Sequence, residues 1–591
     1  MKSKFDSDIK KRKSNISEHN KTANIISIFK MFLFILICYN LYKIYINSYP
    51  LKLILLLIIE LFLFIVASLS HKTIYEQIAK NEGIIKINED NIKRITGEWC
   101  HFTDIGEEFI DYDHDYATDL DIVGKNSLFQ MINSTGTYYG RKKFVNDLLN
   151  PNFSKSDLNN RHEAITELSK NYEFCVESEY LFSLIGVDND LNKLISQLQD
   201  KKRFIQNKPL KLLFKISSLL TCCSLLYAIF TKSNISFIIL NCLIMFQLLL
   251  WIIGYLKSNS YVSTLKKLSH KINNYHNVVN YITKTSFTCN KLNDIEKNLQ
   301  TAKIGIDKLS KIASNINQRN NGIMCILLNA LLLWDYKNAI DLDNWKLEYG
   351  DSIENWFNTL GELESLISFA NLPRVCDNMS LPTFIEENNI IKATNMGHPL
   401  INNNKRICND LNLDNNIYII SGSNMSGKTT FMRTVGINIV LACAGSYVCA
   451  NSMSLSKMKI ITSMRIKDDL NEGISTFYAE LKRIKKIIDQ SHNNPNTLFL
   501  IDEIFRGTNS IDRLKGAEGV IKELCKCKVS GMITTHDLEV CNLENENPNI
   551  SNYSFNEHYI DDEIYFDYKI KTGKSLTTNA EFLLKKVGIL S

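Results

Sequence analysis

A glycine-rich loop between an apolar run and a helical pattern constrains the fold of this chain more than any other feature. Residues 416–420 (NIYII) are rich in β-branched side chains and are typical of a buried strand. Residues 422–429 (GSNMSGKT) match the pattern G-x-x-x-x-G-K-[ST], whose backbone N–H groups bind phosphate. Residues 430–436 continue as a helix. Strand, loop and helix in this order predict an α/β domain that binds a nucleotide.

Polar side chains also end two later strand patterns. Residues 497–501 (TLFLI) run into Asp502 and Glu503, and a second strand pattern ends at His536. Asp502 suits Mg²⁺ together with the loop residue Thr429, because Mg²⁺ prefers oxygen ligands. Glu503 is placed to orient or deprotonate an attacking water, and His536 to hydrogen-bond that water or the γ-phosphate. These residues predict an ATPase that uses ATP and Mg²⁺.

Four apolar runs form two hairpin patterns. Residues 25–46 and 51–69 are separated by a turn with Asn and Pro, and residues 216–230 and 235–254 by the turn 231–234. A membrane span needs about 20 apolar residues, so each run is a candidate. Buried core helices are the alternative. Glu60 lies within the second run, where we expect it to be protonated or paired across the hairpin rather than to transport ions.

Basic residues predict the orientation of these hairpins. Residues 1–23 hold seven Lys/Arg and three acids. The second hairpin is flanked by many basic residues, with a single one in its turn: Lys201, Lys202, Arg203, Lys208, Lys211, Lys257, Lys266 and Lys267 outside, and Lys232 in the turn. The positive-inside rule therefore predicts a multi-pass protein of the cell membrane, with both termini and the ATPase domain in the cytoplasm.

Composition narrows the other possibilities. The 591 residues are enough for several domains, and the net charge of +5 does not by itself indicate nucleic acid binding. The 15 cysteines include no C-x-x-C pair, which disfavours zinc. An acidic stretch, residues 107–121, is interpreted as a solvated connector, with a metal site as the alternative. Residues 258–320 hold ten Lys/Arg and three acids, which suits either a DNA-contacting arm or a helix beside anionic lipid.

Four motifs together resemble the MutS family of mismatch-repair ATPases. They are N-M-x-G-K-[ST]-T at residues 424–430, D-D-L-x-x-G-x-S-T-F at 468–477, D-E-I-x-R-G-T-x-x-x-D at 502–512, and T-T-H at 534–536. Residues 397–400 and 409–411 look like the family's segments that line the adenine. The resemblance extends over most of residues 95–591 outside the hairpins.

The resemblance implies a homodimer with composite ATP sites. Ser475 would reach the γ-phosphate bound by the partner subunit, and Asp512 would be the D-loop residue. The implied fold is an α/β P-loop (ABC-type) ATPase domain preceded by an all-α MutS-like core and lever region, here with two transmembrane helical hairpins. The residues expected to bind nucleotide are Gly422, Ser423, Asn424, Met425, Ser426, Gly427, Lys428, Thr429, Thr430 and Asn409.

Departures from the family pattern leave the ligand open. Residues 72–117 are too few for both a mismatch-reading and a connector domain. The second hairpin lies where the family's chain would travel to its DNA clamp. Binding of mismatched or structured DNA is thus implied only by the resemblance. A membrane-bound signalling or structural switch that does not bind DNA is the main alternative, and an ABC-type transporter is a weaker one.

We therefore expect six segments along the chain. They are a basic cytoplasmic tail (1–23), transmembrane hairpin 1 (24–71), a first core part (72–209), transmembrane hairpin 2 (210–256), core and lever helices (257–380) and the ATPase domain (381–591).

Overall fold

A helical region precedes a sheet-containing region in this chain. The computed structural model describes residues 1–46, 51–187, 190–205, 207–423, 425–465, 476–505, 510–560 and 563–575. Helices follow one another as far as Val375, and the strands begin at Met379. The order of the two regions agrees with the sequence-based prediction.

The first two helices form a long antiparallel hairpin. Helix α1 (Lys2–Ile46) pairs with helix α2 (Leu51–Thr96). Asn40 Nδ2 donates to Glu60 Oε1 at 2.6 Å, so Glu60 is paired across the hairpin, as one of the two interpretations predicted. The expected basic tail is the first half of α1, and Phe5 packs there against the ring of Tyr172 at 5.6 Å between centroids. The helix passes the expected boundary at residue 23 without a break.

A second hairpin joins helix α8 (Lys208–Thr231) to helix α9 (Asn234–Ile282), and Gln247 Nε2 donates to Thr221 Oγ1 at 2.6 Å between them. Four of the described helices are long and apolar enough to cross a membrane: Lys2–Ile46, Leu51–Thr96, Pro209–Thr231 and Asn234–Ser263. Only 11% to 22% of their most apolar stretches is buried within the chain. Within the described chain, these runs are therefore not buried core helices.

The remaining helices of the first region lie between the two hairpins and after the second one. They are α3 (Leu128–Ile132), α4 (Tyr138–Leu149), α5 (Lys155–Lys170), α6 (Tyr172–Ser183), α7 (Asp190–Gln199), α10 (Asn290–Asn317), α11 (Gly322–Leu332), α12 (Trp334–Tyr349) and α13 (Ile353–Val375). Short 3-10 turns lie at Glu98–His101, Glu107–Phe109, Gln318–Asn320 and Gly350–Ser352. Helix α13 is buried along most of its length, and it crosses α4 where Gly361 meets the Tyr139 carbonyl. A Cβ atom on Gly361 would stand 2.8 Å from that carbonyl, so only glycine permits this crossing.

The second region is built on three sheets. A six-stranded sheet has the order β12-β11-β5-β10-β9-β8, a four-stranded sheet has the order β2-β7-β3-β4, and β1 pairs with β6. The strands are β1 (Met379–Ser380), β2 (Thr383–Ile385), β3 (Ile390–Met396), β4 (Asn409–Asp414), β5 (Ile417–Gly422), β6 (Val448–Cys449), β7 (Ser452–Ser456), β8 (Lys459–Ser463), β9 (Thr497–Ile501), β10 (Ser530–Thr535), β11 (Ile550–Ile560) and β12 (Glu563–Thr572). The helices of this region are α14 (Lys428–Cys443), α15 (Thr476–Asn493) and α16 (Ser510–Lys526), and a 3-10 turn lies at Val540–Asn545.

Strands β11, β5, β10, β9 and β8 are parallel, and only β12 runs antiparallel at the edge. The carboxyl ends of parallel strands meet at one edge of a sheet, where α/β domains bind ligands. Strands β5, β9 and β10 are buried at every position, because helices cover both faces of this sheet. The continuous apolar runs seen in the sequence reflect this burial.

The last part of the acidic stretch, residues 115–121, is packed against the sheet region, so the interpretation as a solvated connector is wrong there; the acids of its first part, such as Glu107 and Asp111, are exposed. The Asp119 carboxylate accepts hydrogen bonds from Thr462 Oγ1 at 2.7 Å and from the N–H groups of Met464 and Arg465 at 3.0 Å each. Asp121 pairs with Arg433 and Arg465. The described residues, which include all of this stretch, hold no group of three potential metal ligands. Its charges join the helical core to the end of β8 and to α14.

Candidate functional site

The glycine loop leaves an inner strand of the six-stranded sheet. Strand β5 pairs with β11 on one side and β10 on the other, so Gly422 lies at the centre of the carboxyl edge. Gly422 has φ +141° and Gly427 has φ +105°, values that an L side chain rarely adopts. The loop pattern therefore requires glycine at both positions, and Gly427 directs the chain into α14.

Loop side chains hold the turn closed. The buried Lys428 ammonium donates to the carbonyls of Gly422 and Ser423 at 2.7 Å each. Ser426 Oγ donates to the Ser423 carbonyl at 2.8 Å, and Ser426 is buried. Met425 is 72% exposed, so it points away from the loop's own packing. The Lys428 ammonium thus lies beneath the loop, close to the place where a ligand of the loop would bind.

The Asp502 carboxylate connects three strand and helix ends. Thr429 Oγ1, at the start of α14, donates to Asp502 at 2.9 Å and 3.0 Å. Thr534 Oγ1, near the end of β10, donates to Asp502 Oδ1 at 2.6 Å and accepts from Glu503 N–H at 2.9 Å. The two predicted metal ligands, Thr429 and Asp502, are therefore in contact.

Glu503 and His536 form the outer part of the site. His536 Nε2 lies 2.8 Å from Glu503 Oε1, and the Glu503 side chain is 17% exposed against 39% for His536. Glu503 has φ +51°, a left-handed conformation that is uncommon for a residue with a side chain. Such strain is typical of functional sites, where surrounding contacts maintain it. Here the hydrogen bond between Glu503 N–H and Thr534 contributes to that restraint.

The antiparallel edge strand covers the loop from the other side. Asn409 is at the start of β4, where its Nδ2 donates to the Tyr568 carbonyl and its Oδ1 accepts from Ile570 N–H, both at 3.0 Å. Tyr568 has φ +54°, and its ring lies 3.0 Å from where a Cβ on Gly427 would stand. Asn409 thus holds a half-exposed aromatic ring beside the glycine loop.

Other predicted residues lie apart from this centre or outside the described chain. Thr430 is exposed on the first turn of α14, and Asp512 is exposed on the first turn of α16. Asn424 and Ser475 fall outside the described residues. His398 is buried at α14, where burial and the charges of Arg433 and Arg406 lower its pKa to about 3, so it is neutral at pH 7.

Sequence reasoning gave no separate role to Thr534 or Tyr568. Thr534 was visible as part of the T-T-H motif, but its bond to Asp502 spans 32 positions and depends on the adjacency of β9 and β10. Residues 565–569 (YFDYK) contain nothing that marks Tyr568. Its position depends on the pairing of β12 with β11 at the sheet edge.

A parallel sheet, a glycine loop after an inner strand and polar groups at the adjacent strand ends define an α/β domain with its site at the carboxyl edge. Residues 418–581 match the family described as MutS domain V. This part of the chain is similar to that family, in agreement with the resemblance that the motifs predicted.

Curated relatives carry the same family name. DNA mismatch repair protein MutS of Alkaliphilus metalliredigens is 31% identical over 246 residues, 40% of this chain and 28% of that protein. MutS of Carboxydothermus hydrogenoformans is 27% identical over 351 residues, 57% of this chain and 40% of that protein. MutS of Staphylococcus haemolyticus is 32% identical over 247 residues, 40% of this chain and 28% of that protein. The matched part of the chain thus spans less than half the length of these relatives.

Proposed function

We propose that this chain is a membrane-anchored, MutS-like ATPase that works as a dimer. The observation that carries the proposal is the Asp502 carboxylate, which contacts Thr429 from the glycine loop and Thr534 from the neighbouring strand. Glu503 and His536 lie directly beside it. These groups come from three separate strand ends. A buried sheet does not need such polar groups to meet at one point in order to be stable.

The donor set fits ATP with Mg²⁺. The Thr429 hydroxyl and the Asp502 carboxylate are adjacent oxygen groups, which are the ligands that Mg²⁺ prefers. Bound Mg²⁺ supplies charge neutralisation on the phosphate oxygens. The loop N–H groups and the Lys428 ammonium would bind the phosphates. The Tyr568 ring would contact the adenine base of the nucleotide. Glu503 would position the attacking water, and His536 would be the hydrogen-bond partner of Glu503.

The proposed dimer follows from the family resemblance. Ser475 of one subunit would complete the site of the other, and Asp512 would face the partner. Strand β8 ends at Ser463, next to Asp502, whose N–H donates to the Ser463 carbonyl at 2.9 Å. The segment that leads to Ser475 therefore starts at the nucleotide site. ATP would bring two such sites together, and hydrolysis would separate them.

The membrane anchor rests on the four exposed apolar helices. Their side chains would contact lipid along both hairpins, since most of their apolar surface has no cover within the chain. The distribution of Lys and Arg supports turns outside and both termini and the ATPase domain in the cytoplasm. One hydrogen bond joins polar side chains across each hairpin, from Asn40 to Glu60 in the first and from Gln247 to Thr221 in the second.

A membrane-bound switch that does not bind DNA is the second candidate. Helix α9 begins at the turn of the second hairpin with exposed apolar side chains such as Ile235 (69%) and Ile238 (61%). DNA binding needs a cationic surface that neutralises phosphates. Lys291 and Lys308, on the basic segment, are paired with Glu362 and Glu348. The exposed apolar start of α9 favours lipid as its neighbour.

ATPase measurements on detergent-purified protein test both candidates. Activity that is lost in Lys428→Ala and stimulated by mismatched or branched DNA, more than by homoduplex, would support a DNA-dependent cycle. Activity that no DNA changes would favour the switch. Wild-type activity in Lys428→Ala would contradict the proposed ATP site.

Mixed dimers test the shared site. Lys428→Ala subunits and Ser475→Arg subunits should each be inactive alone. Together they should rebuild one working site, because the second subunit supplies the loop and the first supplies the serine. If mixing restores no ATPase activity although heterodimers form, the composite site is refuted.

A further inference from the structure

Helix α11 has an apolar surface that the two predicted hairpins do not include. Its eleven residues (GIMCILLNALL) carry no charge. Cys325, Asn329 and Ala330 are buried on one face, whereas Ile323, Ile326 and Leu327 are 76%, 53% and 51% exposed on the other. At 1.5 Å per residue the helix is about 16 Å long, roughly half of a bilayer's apolar thickness. It is too short to cross a membrane.

The entry to α11 is fixed at the cytoplasmic end of the second hairpin. Arg319, just before α11, and Asp335, just after it, form a buried ion pair at 3.1 Å. Trp251 Nε1 of α9 donates to Asp335 at 2.8 Å, and the Arg319 guanidinium lies 5.5 Å from the Tyr255 ring centroid. Trp251 and Tyr255 lie where the apolar run of α9 ends, a level at which Trp and Tyr are enriched in membrane proteins.

The far end of α11 lies deeper along the hairpin. The Leu331 carbonyl is 4.0 Å from Cys222 Sγ, in the middle of α8. The neighbouring Thr221 is bonded to Gln247 of α9. Gln247 precedes the end of the apolar run at Gly254 by seven residues, which corresponds to about 10 Å along a helix. Helix α11 therefore descends from the end of the hairpin toward its middle.

The chain then turns back. Leu333 has φ +46° and ψ +48°, and α11 meets the α12–α13 helices at an angle of 77°. Asn329 is fully buried at this turn, where its Oδ1 accepts from Asp335 N–H at 3.0 Å and its Nδ2 donates to the Cys325 carbonyl at 2.9 Å. A turn can lie at membrane depth only when its polar groups are satisfied within the protein. Asn329 satisfies two backbone groups at this turn, the Asp335 N–H and the Cys325 carbonyl.

We propose that α11 is a re-entrant helix that dips into the cytoplasmic leaflet beside the second hairpin, with Ile323, Ile326 and Leu327 against lipid. This inference rests on the proposed membrane anchor. The bilayer is the occupant that the geometry favours, because α11 packs beside the second hairpin, whose own Ile252 and Ile253 are 66% and 74% exposed. Binding of a second copy of the chain or of a soluble partner would not require this apolar face to extend along the hairpin from its end toward its middle.

The turn after the re-entrant helix connects the membrane hairpin to the helices α12 and α13. Helix α12 begins at the turn and continues through Gly350–Ser352 into α13, the buried helix of the core. The Tyr336 hydroxyl donates to the Leu250 carbonyl at 2.9 Å, which fixes the start of α12 to α9. The lever is thus joined to the membrane hairpin at two places, by the Arg319–Asp335–Trp251 cluster and by Tyr336.

Photo-crosslinking to lipid tests the proposal in the full-length protein. The photoreactive residue p-benzoyl-phenylalanine replaces Ile326 or, in a second variant, Leu327, and the protein is reconstituted in vesicles of phosphatidylcholine and phosphatidylglycerol. Ile239, which is 49% exposed within the second hairpin, is the positive control. Ile304, which is 58% exposed on α10 and lies 15 positions before Arg319, is the matched control outside the membrane. Adducts are identified by mass spectrometry.

We expect the label at 326 and 327 to form acyl-chain adducts in yields close to those at 239 and several-fold above those at 304. Lipid adducts at 239 with none at 326 or 327 would overturn the re-entrant helix and leave the anchor intact. No lipid adduct at any position, 239 included, would refute the membrane anchor itself. Adducts of 326 with another protein chain would overturn the inference in favour of a protein interface.

Discussion

Replacing Asp119 with alanine tests whether the acidic stretch holds the helical core against the sheet region. Asp119 is 5% exposed and accepts three hydrogen bonds, from Thr462 Oγ1 at 2.7 Å and from the N–H groups of Met464 and Arg465 at 3.0 Å. These bonds join residues more than 340 positions apart. The stretch thus closes a very long loop of chain.

The expected loss of stability follows from these three bonds. A hydrogen bond to a charged group contributes about 1.5–3 kcal/mol. Three bonds that share one acceptor are not additive, and water can reach the exposed Arg465, so we expect a total of about 3–5 kcal/mol. The two backbone N–H groups also lose their acceptor, and for the buried Met464 this adds a desolvation cost.

Chemical unfolding of the detergent-purified protein, followed by tryptophan fluorescence, measures this loss. All five tryptophans precede the sheet region, and Trp99 lies in the core cluster with Leu120, so the signal reports the helical core. A double-mutant cycle with Thr462→Val isolates one bond, and we expect a coupling energy of about 1–2 kcal/mol. Glu107→Ala is the matched control, because Glu107 is an exposed acid of the same stretch and should change stability by less than about 0.5 kcal/mol.

An Asp119→Ala variant as stable as Glu107→Ala would refute this reasoning. So would a coupling energy near zero with Thr462→Val, because the cost of Asp119→Ala would then arise from something other than this contact. Loss of stability together with unchanged ATPase activity would still support the contact and would separate docking from catalysis.

Three further predictions concern the site and the core. Glu503→Ala should bind ATP but hydrolyse it very slowly, since the carboxylate that positions water is gone; hydrolysis at the wild-type rate would exclude Glu503 as the catalytic carboxylate. Thr534→Val should lower the ATPase rate about 10- to 100-fold, as one hydrogen bond to a charged group is worth about 1.5–3 kcal/mol, whereas Thr534→Ser should retain activity because it keeps the hydroxyl. Burial raises the pKa of Glu364 from 4.5 to about 7, so the folded state binds this proton more tightly and stability should fall as pH rises from about 4.5 to 7, by at most about 1.4 kcal/mol per pH unit. Glu364→Gln should remove that pH dependence in thermal unfolding, and an unchanged pH profile would contradict it.

The centre of the candidate site could be predicted from the sequence. The glycine loop, the strand before it and the polar ends of β9 and β10 could be recognised because their requirements are local. A left-handed backbone at Gly422 and Gly427 needs glycine, and a strand buried on both faces must be apolar throughout. The contact between Thr429 and Asp502 then follows from placing both at one edge of a parallel sheet.

The four long apolar helices were also determined by sequence alone, because hydropathy over about 20 residues is a property of a single segment. Helix α11 could not be assigned in this way. An apolar run of eleven residues suits a buried core helix and a re-entrant helix equally well. Only its packing beside α8 and the exposure of Ile326 and Leu327 distinguish the two.

The contacts of the acidic stretch could not be predicted from the sequence, because they form between distant elements. A run of carboxylates in sequence is most often solvated, and nothing near residues 107–121 reveals that Thr462, Arg433 and Arg465 approach them. Those partners lie more than 300 positions away, and their distance depends on how the helical core docks on α14 and β8. The same holds for Thr534 and Tyr568, whose positions come from strand order. Local pattern specifies an element and its buried face, whereas the pairing of charges between distant elements exists only once those elements are packed.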